Sequence, residues 1–120
     1  MTTYRGWIDW KDGPRVQRIE EDGRRSPLPL RLDLDNHSPD GFAWGYGGSG
    51  PAQLALALLA DALGDDAEAL RLHMRFKWRV TARLAIDEGW TMTRDEVLEH
   101  VVAIRAEALA QEAGRGDATS

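Results

Sequence analysis

Gly45-Tyr46-Gly47-Gly48-Ser49-Gly50 carries the spacing G-x-G-x-x-G and leads into a helix that Pro51 can open. In dinucleotide-binding proteins such glycines let backbone amides approach a pyrophosphate at a helix N-terminus. That chemistry also needs a βαβ unit with an acid at the end of its second strand. Here the glycine-loop helix is followed by another helix, which argues against nicotinamide or flavin binding. A phosphate loop would require Gly-Lys-Ser/Thr where Gly50-Pro51 stands. Gly47-Gly48-Ser49-Gly50-Pro51 also falls one residue short of the G-x-S-x-G nucleophile elbow, with proline in place of the last glycine. Ser49, His37 and one of Asp33, Asp35 or Asp40 could form a nucleophilic triad, yet 120 residues without strand–helix alternation leave no hydrolase sheet to present it. A general property survives: amides at Gly47, Gly48 and Ser49 can hold an anion at a helix start. Trp44, Tyr46, Gly50 and Gln53 would complete that contact surface. The competing reading is purely structural, with glycines letting the chain turn while Trp44 and Tyr46 pack.

Arg71, Arg75, Arg79 and Arg83 recur every fourth residue and would line one side of a helix. Such a stripe can track phosphates or meet an acidic protein; the commoner alternative is a solvated face paired with local acids. Asp95, Glu96 and Glu99 would crowd the start of any recognition helix and repel DNA. His37, His73 and His100 have no metal spacing among them, and zinc would have to recruit carboxylates from distant segments. No metal or cofactor is therefore expected. Trp7, on the polar face of the first strand, suggests a partner or self-association surface, or a place beneath a long loop.

Cysteine is absent, which excludes a disulfide framework, thiolate metal sites and a cysteine nucleophile. A net charge of −5 argues against general adhesion to nucleic acid or anionic lipid. Five basic residues nevertheless face a single acid between Glu68 and Ile86. The N-terminus lacks a signal-peptide core, and the apolar run from Pro51 spans about 13 residues where a membrane crossing needs roughly 20. The expectation is a soluble cytoplasmic protein with one domain over 1–113 and a flexible tail over 114–120.

Alternation predicts a strand from Tyr4 to Trp10, then a turn at Lys11-Asp12-Gly13-Pro14. A second strand over Val16–Glu20 changes parity between Val16 and Ile19, which predicts a bulge or an edge position. Asp22-Gly23 signals a hairpin. Leu28, Leu30, Leu32 and Leu34 share a parity and predict a third strand, with Pro29 restricting its pairing. Pro51–Leu63 is apolar nearly all round and must be covered on several sides. Ser49 or Gly50 is placed to cap it, and Gly64 stops it. Asp65 or Asp66 caps a second helix reaching about Asp87, with Leu72, Phe76, Val80 and Leu84 inward and Trp90 in the connection after it. Thr93 and Glu96 form a capping box, stapled by Met92 and Val97, for a third helix ending near Glu112. The fold class is α+β, an N-terminal antiparallel sheet of about three strands on three helices with Pro51–Leu63 central.

The block Ser38-Pro39-Asp40-Gly41-Phe42-Ala43-Trp44-Gly45-Tyr46-Gly47-Gly48-Ser49-Gly50-Pro51-Ala52-Gln53-Leu54-Ala55-Leu56-Ala57, with Tyr4-Arg5-Gly6 before it and Phe76-Lys77 after it, resembles a family of small bacterial and phage proteins classed as a domain of unknown function. Ala43 departs from the acidic residue usual at its position in that family. The resemblance implies no catalytic role. Function is therefore expected to be that of a non-enzymatic binding module using the Trp44–Gly50 loop. The alternatives are a small hydrolase or nucleotide-handling enzyme, and an acidic phage-type inhibitor of a host protein.

Overall fold

The computed structural model describes the backbone of residues 1–119 and the side chains of 1–114. Four strands form one antiparallel sheet in the order β3-β2-β1-β4: β1 Thr3–Asp9, β2 Gly13–Ile19, β3 Arg25–Pro27 and β4 Trp90–Thr93. Asp9 closes the first hairpin by accepting from the Lys11 and Asp12 amides at 2.8 and 3.0 Å, bonds that hold its carboxyl below the usual range. The β1–β2 register runs unbroken from Thr3↔Ile19 to Asp9↔Gly13, so β2 is an interior strand without the expected bulge. The inner face carries Tyr4, Gly6, Val16 and Met92, all buried, whereas Trp10, beyond the end of β1, is 93% exposed.

Three helices complete the fold: α1 Ser49–Leu63, α2 Asp66–Arg79 and α3 Arg94–Thr119. Twelve of the 15 residues of α1 are buried, which puts this helix at the centre as its all-round apolar surface requires. It packs against α2, α3 and a 3-10 turn at Thr81–Arg83. Its lone acid, Asp61, accepts from the Tyr4 hydroxyl at 2.6 Å and from Arg18 Nε at 2.9 Å, pinning helix to sheet. Gly64 ends α1 in the left-handed region at φ 64°, and the Asp65 side chain caps α2 by accepting from the Glu68 amide. The cap of α1 is Gly48, without a side-chain bond, rather than Ser49 or Gly50.

Three expectations need correction. The leucine run is not a strand: Arg31 adopts φ 59°, and its carbonyl accepts from the Leu34 amide at 3.0 Å, so residues 31–34 turn. Extended alternation cannot pass through a left-handed residue. The local third strand is instead Arg25–Pro27, paired to β2. Secondly, α2 stops at Arg79, because buried Thr81 donates its hydroxyl to the Pro51 carbonyl at 2.8 Å while its own carbonyl accepts from the Gly45 amide at 2.9 Å. Those bonds draw the chain off the helical path. Thirdly, Trp90 lies in β4, which the chain supplies to the far edge of β1, opposite Gly6. The capping box formed as expected, with Thr93 Oγ1 accepting from the Glu96 amide and Glu96 Oε1 accepting from the Thr93 amide. Met92 and Val97 are both buried in the core beside it. Helix α3 continues past Glu112, and the tail expected over 114–120 falls largely outside the described side chains.

Candidate functional site

The glycine loop is built to receive two side chains from elsewhere in the chain and one of its own. Gly45 takes φ 90° and has the Ile86 Cα where its own Cβ would be, at 2.5 Å. A Cβ on Gly47 would lie 2.4 Å from the Trp78 ring, and one on Gly48 would lie 2.3 Å from the Tyr46 ring. The three glycines thus seat three large side chains, each still substantially exposed: Trp78 55%, Ile86 53% and Tyr46 46%. Met74, one turn before Trp78 on α2, adds a further 41%-exposed apolar side chain. Soluble surfaces seldom gather aromatic and aliphatic groups in this way without a partner.

The surface residues expected at this loop divide into two groups. Tyr46, Gly47 and Ser49 are exposed and Gly48 is half-buried, whereas Trp44, Gly50 and Gln53 belong to the interior. Trp44 stacks edge-on against Trp90 with centroids 5.7 Å apart and donates its indole hydrogen to the Glu88 carbonyl at 2.9 Å. Trp78, Ile86 and Met74 escaped the sequence reading, since only α2 and the turn after it bring them to the loop.

The arginine stripe also splits. Arg71 pairs with Glu68, which Arg105 of α3 reaches as well, at 2.9 Å. These two guanidinium groups hold the Glu68 carboxyl down to about 2. Arg79 pairs with Glu107 at 2.7 Å and donates from Nε to His100 Nδ1 at 3.2 Å. Burial, helped by the nearby Arg79 charge, lowers the His100 pKa. The Glu68–Arg105 and Arg79–Glu107 pairs therefore clamp α2 to α3, while Arg71 braces Glu68 from within α2. Arg75 and Arg83 have no carboxylate partner among the described residues, and both line a 300 Å³ groove with Trp78 and the Arg79–Glu107 pair. Arg83 Nε donates to the Trp78 carbonyl at 3.0 Å, and Lys77 Nζ stands 4.2 Å from the Trp78 ring centroid.

Among the described residues no hydrogen bond joins Ser49 to His37. His37 Nε2 instead faces His73 Nε2 at 2.9 Å and Asp35 Oδ2 at 3.3 Å. The donor atoms of Asp35, His37 and His73 all lie within 4.8 Å of one another. Buried Gln53 braces this corner: its Oε1 accepts from the amides of His37 and Ser38, and its Nε2 donates to the carbonyls of Leu30 and Asp35. The sequence offered no spacing that pairs His37 with His73; the turn at Arg31 and the Gln53 brace create it. Asp33 bonds Arg31 and takes no part, while Trp7 and Asp40 border a separate 560 Å³ groove beside β2.

Neither the curated proteins nor the solved structures offer a match to this chain. The model of a family of unknown function, DUF6166, matches residues 4–103, most of the chain, and the protein belongs to that family.

Proposed function

We propose that the protein is a non-enzymatic interaction module whose contact face is Tyr46, Met74, Trp78 and Ile86, with Arg75 and Arg83 at its rim. The observation that carries this reading is the seating of Trp78, Tyr46 and Ile86 on three glycines of one loop that leave them half in solvent. The glycine loop acts as a scaffold for the face, and its exposed members Gly47 and Ser49 contribute backbone to it. The partner is an acidic protein segment bearing an apolar anchor: the anchor covers Trp78, and carboxylates meet the two unpaired guanidinium groups. An overall charge of −5 disfavours nucleic acid as the occupant of so small a basic rim.

A peptide-display selection against the full chain tests this. Acidic residues flanking a leucine or an aromatic residue are expected to enrich. Trp78→Ala is expected to weaken the selected peptide by about 2 kcal/mol, roughly thirty-fold in Kd. Arg75→Glu with Arg83→Glu is expected to abolish binding at physiological salt, and Arg75→Glu, which breaks no bond among the described residues, to weaken it without lowering Tm. Enrichment of uncharged peptides, or retention of affinity in Trp78→Ala, defeats the reading. Sedimentation showing that Trp78 drives dimerisation would replace the acidic partner with a second copy.

A further inference from the structure

We infer that Asp35, His37 and His73 form a binding site for a divalent first-row transition-metal ion. The argument starts at His73, whose Nδ1 lies 2.7 Å from the Leu70 carbonyl. A carbonyl only accepts, so that nitrogen carries the hydrogen and the Nε2 of the neutral ring presents a lone pair. This is the arrangement that fixes the tautomer of a metal-ligating imidazole. Opposite it stands His37 Nε2, at 2.9 Å. Two lone pairs cannot face each other at that distance, so a cation or a proton must lie between the rings.

Three observations favour the metal ion. Asp35 adds a carboxylate oxygen 3.3 Å from His37 Nε2, completing a set of two imidazoles and one carboxylate. Ligand atoms about 2.1 Å from a common ion lie about 3.0 Å apart at right angles and about 3.4 Å apart in a tetrahedron, close to the 2.9 Å between the two Nε2 atoms and the 3.3 Å from His37 Nε2 to Asp35, with the third pair within 4.8 Å. The Gln53 side chain, fully buried, gives all its hydrogen-bonding capacity to the backbone on both sides of His37. That fixes two ligands from a turn relative to one from a helix, which a bond between two imidazoles alone does not call for. His73 is buried, His37 half-buried and Asp35 exposed, so the remaining coordination positions open toward water. Nitrogen-rich donors of this kind suit zinc, cobalt, nickel or iron(II) rather than calcium or magnesium, which take oxygen.

The test uses the chelator-treated full chain, titrated with zinc by calorimetry and with cobalt(II) by visible absorption. One ion per chain is expected, with zinc shifting the ring-nitrogen NMR signals of His37 and His73 while those of His100 stay in place. Asp35→Asn alters an exposed side chain and His37→Ala a half-buried one; each is expected to lower zinc affinity at least tenfold and to remove the zinc-induced rise in Tm. His100→Ala is expected to bind zinc as the parent does. Absence of saturable binding up to about 1 mM zinc, a millimolar limit on Kd, overturns the site. So does equal affinity in Asp35→Asn and His37→Ala, or a shared Nε2 proton that equimolar zinc leaves undisturbed.

Discussion

Gly6 shows how a single missing Cβ decides the position of a distant strand. A Cβ there would lie 2.3 Å from Trp90 Nε1, and Trp90 is the β4 residue paired directly opposite. Among the described residues the indole nitrogen has no hydrogen-bond partner; Trp90 packs against Gly6 and makes an edge-on contact with Trp44. Gly6→Ala is expected to destabilise the fold by about 1–3 kcal/mol, the usual cost of overpacking. The measurement is urea unfolding of Gly6→Ala with and without Trp90→Phe: the smaller ring should recover part of the loss, and simple additivity would contradict the contact. The sequence shows Gly6 as a gap in an otherwise bulky strand. It cannot show what fills the gap, because the occupant arrives after two helices.

At the scale of elements, Glu68 links α2 to α3 through Arg105 and pairs within α2 with Arg71, and its carboxyl is held at about 2, against an ordinary value of 4.5. The folded state therefore binds this proton less readily than the unfolded chain does. Its contribution to stability is complete above about 4.5 and is lost as pH falls toward about 2. Thermal melts of the parent and of Glu68→Gln should differ at neutral pH and converge near pH 2; parallel curves down to pH 2 would show the link to be energetically silent. The pair is solvent-accessible, so added salt should narrow the difference as well. Local signals served well where they concern neighbours in sequence, as at the Gly64 stop, the Asp65 cap and the Thr93–Glu96 box. They misled over Leu28–Leu34, where period-two leucines imitate a strand. Arg31 there turns left-handed and is tied by bidentate pairs to Asp33 and to Asp66 at the start of α2. The second of those partners is invisible to a local pattern.

Over the whole molecule, Tyr4 and Asp61 join the two layers around α1. The Tyr4 hydroxyl is pushed far above its ordinary range by burial and by its bond to the Asp61 carboxylate, so it acts as a donor throughout the accessible pH range. Tyr4→Phe is expected to cost about 2 kcal/mol, as for a hydrogen bond to a charged group. Equilibrium unfolding checks it, and an unchanged midpoint would assign Asp61 to Arg18 alone. The sequence by itself determined the α+β class, the central place of Pro51–Leu63 and the helix ends at Gly64, Asp65 and Thr93, because burial of an all-round apolar helix and the satisfaction of helix ends are dictated by composition and near neighbours. Only the tertiary structure decided which side chains the glycines receive, which arginines are spent on α3, and that His37 meets His73. Those outcomes depend on where separate elements come to rest against each other, and no periodicity along the chain encodes the angle and register at which they do so.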